Sequence, residues 1–246
     1  MNQTCQSVIG IGARSILARK ATWTIPLGIG RGLRIGVDTR EPLHLYAGTI
    51  EFELTRAIRA LATPGSCCFD IGGHNGYYAL ALARLTSSDV VTFEYEPDAV
   101  AQMRRNLSLN PGLAKRITII QKYVAHETVV DPPADTLDHL IETGQIPEPD
   151  FVKIDVEGAE ALVLGGAYRL LSGGRPHLII ETHSQELESE CASFLLGIGY
   201  APRIVEQRRR LREHRGASHN RWLVAVGRNS AAPNGRNSRI AHHVGI

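Results

Sequence analysis

The sequence of 246 residues predicts an α/β fold, an open and largely parallel β-sheet with helices on both faces. Short apolar runs alternate five times with segments of helical spacing between residues 66 and 197, which is the pattern of strand–helix units. Two later apolar segments, 202–206 and 221–227, can pair at the sheet edge and bring the total to seven strands. Hydrophobic residues make up 43% and charged residues 21%, which excludes disordered, collagen-like and coiled-coil classes.

The first part of the chain is predicted to be an N-terminal extension, residues 1–47, with short strands. Residues 24–47 are rich in glycine and contain the apolar pieces 33–35 and 43–46, which we interpret as short strands. Residues 50–62 have helical spacing and end at Pro64-Gly65. The main domain is then expected to cover 48–227, followed by a polar, disordered tail at 228–246.

Within the main domain, each strand is predicted from an apolar run and each helix from the segment that follows it. The predicted strands of the alternating part are 66–71, 89–94, 116–121, 150–155 and 177–182. The predicted helices are 76–85, 98–109, 135–143, 160–171 and 185–197. Because ligands bind outside the carboxyl ends of strands in such sheets, the residues at those ends are the candidates for chemistry.

Charge is distributed unevenly along the chain. Residues 1–200 hold 17 Lys and Arg against 23 Asp and Glu, whereas residues 201–246 hold 10 Arg against two Glu. An acidic body favours a small cationic ligand over a polyanion such as nucleic acid.

Cysteine spacing excludes a CxxC zinc pair, and no signal peptide or 18-residue apolar run is present. We therefore predict a cytoplasmic protein without a membrane partner.

A glycine-rich turn follows the first main strand. Asp70 closes the strand, and Gly72, Gly73 and Gly76 come next. Glycines permit positive φ and a close approach of ligand to backbone, although such a turn can also be purely structural. The spacing departs from GxGxxG, and a carboxylate at this point repels a pyrophosphate. The turn therefore favours S-adenosylmethionine over a nicotinamide cofactor.

Acidic residues also end the second strand. Glu94 lies 24 residues after Asp70, and Glu96-Pro97 follows. An acid about 20 residues past the glycine turn can accept both hydroxyls of a ribose. Glu94 is preferred because it directly follows the apolar run, with Glu96 as the second candidate.

The fourth and fifth strands end in a cluster of titratable residues, namely Asp155, Glu157, Glu160, Glu181 and His183. If the two strands are neighbours, these side chains meet beside the ligand. The cluster could recognise a substrate hydroxyl, remove its proton through His183 or Asp155, or bind a divalent metal. Alternatively, Glu157 and Glu160 only favour the start of the following helix.

These motifs resemble the FkbM family of S-adenosylmethionine-dependent methyltransferases. The matching stretches are DIGGHNGYYALALA, FEYEPDAVAQMRRNLSLN, TLDHLI, DFVKIDVEGAEALVLGGA and IIETH. The resemblance implies a Rossmann-like sheet of seven strands, the class I architecture, and O-methylation of a sugar or secondary-metabolite hydroxyl. It places the cofactor acid on Asp70, the turn glycines on Gly72 and Gly76, and the ribose acid on Glu94. His74 departs from the usual small residues of the turn and could simply cap the helix.

The prediction is an S-adenosylmethionine-dependent O-methyltransferase acting on a small-molecule hydroxyl, with no metal ligand assigned. His183 or Asp155 takes the hydroxyl proton, and Glu157 and Glu181 orient the substrate. The predicted cofactor-binding residues are Asp70, Gly72, Gly73, His74, Asn75, Gly76, Glu94 and Glu96. The alternatives are an RNA methyltransferase that uses the basic segment 207–221, a nicotinamide oxidoreductase, and a non-catalytic cofactor-binding module.

Overall fold

A computed structural model describes residues 21–208 and 221–228. Within these residues the main sheet has seven strands, as predicted. In spatial order they are β10 (Arg203–Glu206), β11 (Arg221–Ala225), β9 (His177–Thr182), β8 (Phe151–Ile154), β3 (Cys68–Ile71), β4 (Val90–Phe93) and β5 (Ile117–Ile120). The predictions for residues 1–20, the Arg-rich segment 209–220 and the tail 229–246 lie outside the described residues.

The direction of the strands determines where a ligand can bind. The strands from β9 to β5 are parallel, and β11 runs antiparallel to both of its neighbours. Strand β3 pairs with β4 on one side and with β8 on the other, so the strand order reverses there. Such a switch point opens a crevice at the carboxyl ends of the strands, which here are those of β3, β4 and β8.

Helices flank both faces of the sheet. They are α1 (Leu43–Ala47), α2 (Thr55–Leu61), α3 (Tyr77–Thr86), α4 (Pro97–Ser108), α5 (Pro111–Ala114), α6 (Leu137–Glu142), α7 (Glu160–Gly165), α8 (Tyr168–Ser172) and α9 (Gln185–Gly197). A 3₁₀ turn, Phe52–Leu54, precedes α2. None of these described helices is long and apolar enough to cross a membrane.

Two of the predicted elements were wrong. Residues 43–46 form helix α1 instead of a strand, because Pro42 precedes the first turn and Gly48 ends it with φ 74°. The single helix predicted at 160–171 is divided into α7 and α8. Gly166 lies between them. A Cβ atom at this position would lie 1.9 Å from the Ala125 carbonyl oxygen, so only glycine fits there.

One of the four short strands was predicted. Strand β2 (Arg34–Gly36) corresponds to the apolar piece 33–35 and pairs antiparallel with β1 (Thr22–Thr24). The sequence patterns did not predict β1, nor β6 (Tyr123–Val124) and β7 (Ala134–Asp135), which pair with each other. Apolar side chains of residues 21–50, among them Ile25, Leu33, Ile35 and Leu45, pack in the same hydrophobic cluster as α2 and α3. The extension thus shares a core with the sheet, and the division at residue 47 stays a prediction.

Candidate active site

A cavity of about 1140 Å³ lies at the carboxyl ends of β3, β4 and β8. The segments that follow five of the sheet strands contribute to it, with the lining residues Gly72–Asn75, Glu94–Glu96, Lys122–Val124, Asp155–Glu157 and His183. A further wall comes from the N-terminal segment, including Glu41 and Glu51. The structure therefore brings together the strand ends that the sequence identified.

The glycine turn is shaped by its neighbours in the protein. Gly72 has φ 83°, and a Cβ atom there would lie 1.8 Å from the Asp155 carbonyl oxygen. Gly76 has φ 80°, and its Cβ would lie 2.6 Å from Met103 Cγ. Both positions require glycine for packing alone. Gly72 and Gly73 also line the cavity, whereas Gly76 lies behind it.

Asp70 lies beneath the cavity and does not line it. Its side chain is buried in β3, and neither carboxylate oxygen makes a hydrogen bond of standard geometry within the described residues. Burial raises the pKa of Asp70 to about 7, although nearby Lys153 opposes this effect. An orphaned carboxylate at this depth suits a cation in the cavity above it.

His74 and Asn75 have different roles in the turn. His74 is exposed with φ 42°, and its backbone N–H donates to Glu94 Oε2 at 2.8 Å. The side chain of Asn75, not that of His74, caps the helix, since Asn75 Oδ1 accepts from the Tyr77 N–H at 3.1 Å. The Asn75 amide also donates to Glu41 Oε1 at 2.8 Å, which attaches the N-terminal segment to the turn.

Glu94 and Glu96 both line the cavity, and hydrogen bonds from the backbone hold the carboxylate of Glu94 in place. Glu94 Oε1 accepts from the Glu96 N–H at 2.9 Å, so its carboxylate is held by two backbone donors. Each oxygen keeps a lone pair for a ribose hydroxyl. Beside it, Tyr95 stacks on Tyr123 with ring centroids 4.0 Å apart, an aromatic wall that the sequence analysis missed because the two residues are far apart in sequence.

His183 lies at the centre of the acidic cluster. Its Nδ1 lies 2.6 Å from Oε1 of the buried Glu160, while Nε2 lies 3.7 Å from Asp155 Oδ1 and 3.9 Å from Glu181 Oε1. The hydrogen bond to Glu160 and the charges of Asp155, Glu160 and Glu181 raise the pKa of His183, although burial opposes them. This arrangement of carboxylate, imidazole and open Nε2 is suited to proton transfer.

The other predicted acids of this cluster are placed less favourably for substrate contact. Glu181 is fully buried and accepts from the Trp222 indole at 3.2 Å, so it supports the cluster from below. Glu157 is exposed with φ 48° at the cavity rim. Glu160 begins α7, as expected of a helix-start acid, and also contacts His183.

Sequence reasoning missed a buried lysine in the floor of the cavity. Lys153 Nζ lies 2.9 Å from Asp155 Oδ2, 4.0 Å from Glu51 Oε2 and 4.3 Å from the centre of the Tyr78 ring. Burial lowers the pKa of Lys153, but the carboxylates of Asp155 and Glu51 outweigh it and keep the amine charged. The signal was a lysine inside the apolar strand run DFVKID.

Three side chains could hold a divalent cation. Asp155, Glu181 and His183 offer one oxygen or nitrogen each, and these atoms lie within 4.8 Å of one another. Lys153 already neutralises Asp155, and Glu160 already orients His183. The same three side chains therefore also fit a cluster whose acidic charges are balanced by Lys153 and His183.

A family model and a curated relative match parts of the chain. Residues 124–215 match the methyltransferase FkbM domain, which includes the last three motifs of the predicted resemblance but not the glycine turn. The hexuronic acid methyltransferase AglP of Haloferax volcanii is 24% identical over 153 residues, which are 54% of this chain and 63% of that protein. This chain thus spans less than two thirds of the length of that relative.

Solved structures share the fold. A methyltransferase FkbM from Methylobacillus flagellatus superposes with a TM-score of 0.54 at 20% identity, covering 90% of this chain and 60% of the other. An rRNA methylase from Streptococcus thermophilus superposes with a TM-score of 0.51 at 18% identity, covering 72% and 96%. Residues 124–215 thus match the FkbM methyltransferase domain, and the described residues have the class I methyltransferase fold, as the motifs predicted.

Proposed function

We propose that this protein transfers a methyl group from S-adenosylmethionine to a hydroxyl of a small molecule, either a sugar or a secondary metabolite. The observation that carries the proposal is the meeting of the glycine turn, Glu94 and His183 in one cavity at the switch point of the sheet, with His183 held from behind by the buried Glu160. The sugar class is supported by AglP, whose name describes a hexuronic acid methyltransferase.

The cofactor half of the cavity is proposed to lie between the glycine turn and Glu94. Glu94 binds the ribose hydroxyls, Tyr95 and Tyr123 form an aromatic wall for the adenine, and Gly72 and Gly73 admit the amino-acid part to the backbone. The bound cofactor supplies an electrophilic methyl group on a positively charged sulfur. The orphaned carboxylate of Asp70 and the acids at the rim favour such a cation electrostatically.

The acceptor half is proposed to lie beside His183. A hydroxyl is a poor nucleophile until a base takes its proton. His183 Nε2 is the base, because Glu160 holds Nδ1 and fixes the orientation of the ring. Asp155 lies close enough to stabilise the imidazolium that forms, and Glu157 at the rim contacts the acceptor.

Acidic lining argues against the RNA alternative. The carboxylates of Glu41, Glu94, Glu96, Asp155 and Glu157 face the cavity and would repel a phosphate backbone.

We also propose a cytoplasmic location. The thiols of Cys67, Cys68 and Cys191 are free in the described residues, with Cys67 partly exposed and the other two buried, and free thiols are typical of a reducing compartment.

The test combines cofactor binding with methyl transfer. Isothermal titration should show binding of S-adenosylmethionine, and a thermal shift should occur with S-adenosylhomocysteine but not with NAD. Radiolabelled methyl should then pass to hydroxyl acceptors from a panel of sugars and uronic acids, and His183→Ala should abolish this transfer while retaining cofactor binding. Absent cofactor binding refutes the proposal. Transfer to tRNA or rRNA alone, with a steep dependence on salt, would favour the RNA alternative.

A further inference from the structure

Glu51 belongs to the N-terminal segment and lies just before the 3₁₀ turn, yet its side chain is buried and lines the cavity. Its backbone has φ 42°, in the left-handed region that non-glycine residues seldom adopt. Such a conformation is strained and persists only where surrounding contacts hold it.

The contacts of Glu51 lead directly to the proposed catalytic residues. Glu51 Oε2 accepts from the Tyr78 hydroxyl at 2.6 Å and lies 4.0 Å from Lys153 Nζ. The same Nζ donates to Asp155 Oδ2 at 2.9 Å, and the other oxygen of Asp155 lies 3.7 Å from His183 Nε2. A continuous series of polar contacts therefore joins the N-terminal segment to the imidazole.

Lys153 forms ion pairs with two carboxylates, those of Glu51 and Asp155. Its ammonium is almost fully buried and is held over the Tyr78 ring. Without the charge of Glu51, one carboxylate fewer would balance that ammonium, and the site would be more positive. Buried ion pairs contribute little to stability compared with apolar packing, so stability alone does not account for this arrangement.

We propose that Glu51 is a positioning residue for methyl transfer, which through Tyr78 and Lys153 sets the placement of Asp155 beside His183. The inference rests on the proposed function. It also means that the segment preceding the matched domain completes the active site, because Glu51 lies 73 residues before the start of the FkbM match at residue 124.

The test compares Glu51→Gln with Glu53→Gln in the purified full chain. Glutamine keeps the size of the side chain and removes its charge. Glu53 belongs to the same turn, but its carboxylate pairs with Arg208 and does not line the cavity, so it serves as the matched control. For Glu51→Gln we expect kcat to fall roughly 10- to 100-fold, as for a small misplacement of catalytic groups, while KM for S-adenosylmethionine changes less than about threefold.

The pH profile separates positioning from a merely structural role. Because Glu51→Gln leaves the site more positive, the acid limb of kcat should move to lower pH, whereas Glu53→Gln should retain the wild-type profile. Tyr78→Phe removes the hydroxyl donor to Glu51 and keeps the ring under Lys153. It should shift kcat in the same direction as Glu51→Gln, by a smaller factor.

Failure of the positioning role of Glu51 can be distinguished from failure of the proposed methyl transfer. If wild-type protein transfers no methyl group, the proposed function fails and this inference fails with it. If wild-type protein is active and folded Glu51→Gln retains its kcat and pH profile, only the positioning role is refuted. Should Glu51→Gln fail to fold, as judged by circular dichroism, a folded Tyr78→Phe with wild-type kcat and pH profile refutes it instead.

Discussion

Replacing Asp70 with asparagine should stabilise the protein at alkaline pH and have less effect in acid. Burial raises the pKa of this carboxyl from 3.8 to about 7 in the folded chain. Between these two values the folded state retains a proton that the unfolded state has lost. The free energy of unfolding therefore falls as the pH rises from about 4 to about 7, and above that range the full penalty is present.

The size of the effect follows from the two pKa values. One pKa unit corresponds to about 1.4 kcal/mol, so ionising Asp70 in the folded chain costs about 4 kcal/mol at pH 8. At pH 5 the same linkage gives only about 2 kcal/mol. Asparagine does not ionise and avoids both costs. The stability of Asp70→Asn relative to wild type should thus increase by roughly 2 to 3 kcal/mol from pH 5 to pH 8.

Urea unfolding of both proteins at the two pH values measures this difference, because other titrating groups contribute equally to both. Asp38→Asn is the control. Its hydrogen bonds from Arg40 lower the pKa of Asp38 to about 2, so its contribution is complete by pH 5 and does not change up to pH 8. If the difference between Asp70→Asn and wild type is the same at pH 5 and pH 8, the argument from burial is refuted.

Three further predictions concern the proposed reaction. Because the pKa of His183 is raised and a base must be neutral, kcat should fall as the pH decreases, with a midpoint above 6.5. Glu160→Gln should move this midpoint to lower pH. An unchanged midpoint would contradict the assignment of His183 as the base. Glu94→Gln should weaken S-adenosylmethionine binding about tenfold in isothermal titration, since a charged acceptor is lost, whereas Glu96→Gln should bind nearly as wild type; the reverse order would assign the ribose to Glu96. Exhaustive chelation followed by gel filtration should leave activity unchanged, since Lys153 already neutralises Asp155; activity that returns only with added Mg²⁺ or Mn²⁺ would show a metal requirement.

The sheet and the positions of its loops could be predicted because parallel strands are apolar throughout and end in recognisable polar residues. Glu94, Asp155 and His183 therefore converge as expected. Glu51 could not be identified, because its contact with Lys153 joins residues about a hundred positions apart and leaves no local pattern. Helix α1 was mistaken for a strand because four alternating residues are too few to distinguish the two periods.

Local burial was equally hidden from the sequence. The position of Asp70 at the end of a strand suggested direct contact with a ligand, but the carboxylate is buried below the cavity surface. Its influence on a bound cation would be exerted through the electric field and not through a hydrogen bond. Such a distinction depends on how neighbouring loops close over a side chain, which periodicity does not report.

The contact between Gly72 and Asp155 restricts how this protein can change over evolution or in the laboratory. Because a Cβ atom at residue 72 would collide with the Asp155 carbonyl, a larger residue at this position of the proposed cofactor loop must displace the loop that carries the proposed chemistry. Substitutions in these two loops are therefore expected to be epistatic. A change in either loop should alter cofactor affinity and acceptor preference together. A search for variants with new acceptors should randomise both loops jointly, because changes tested in one loop at a time will be rejected for damage to the other.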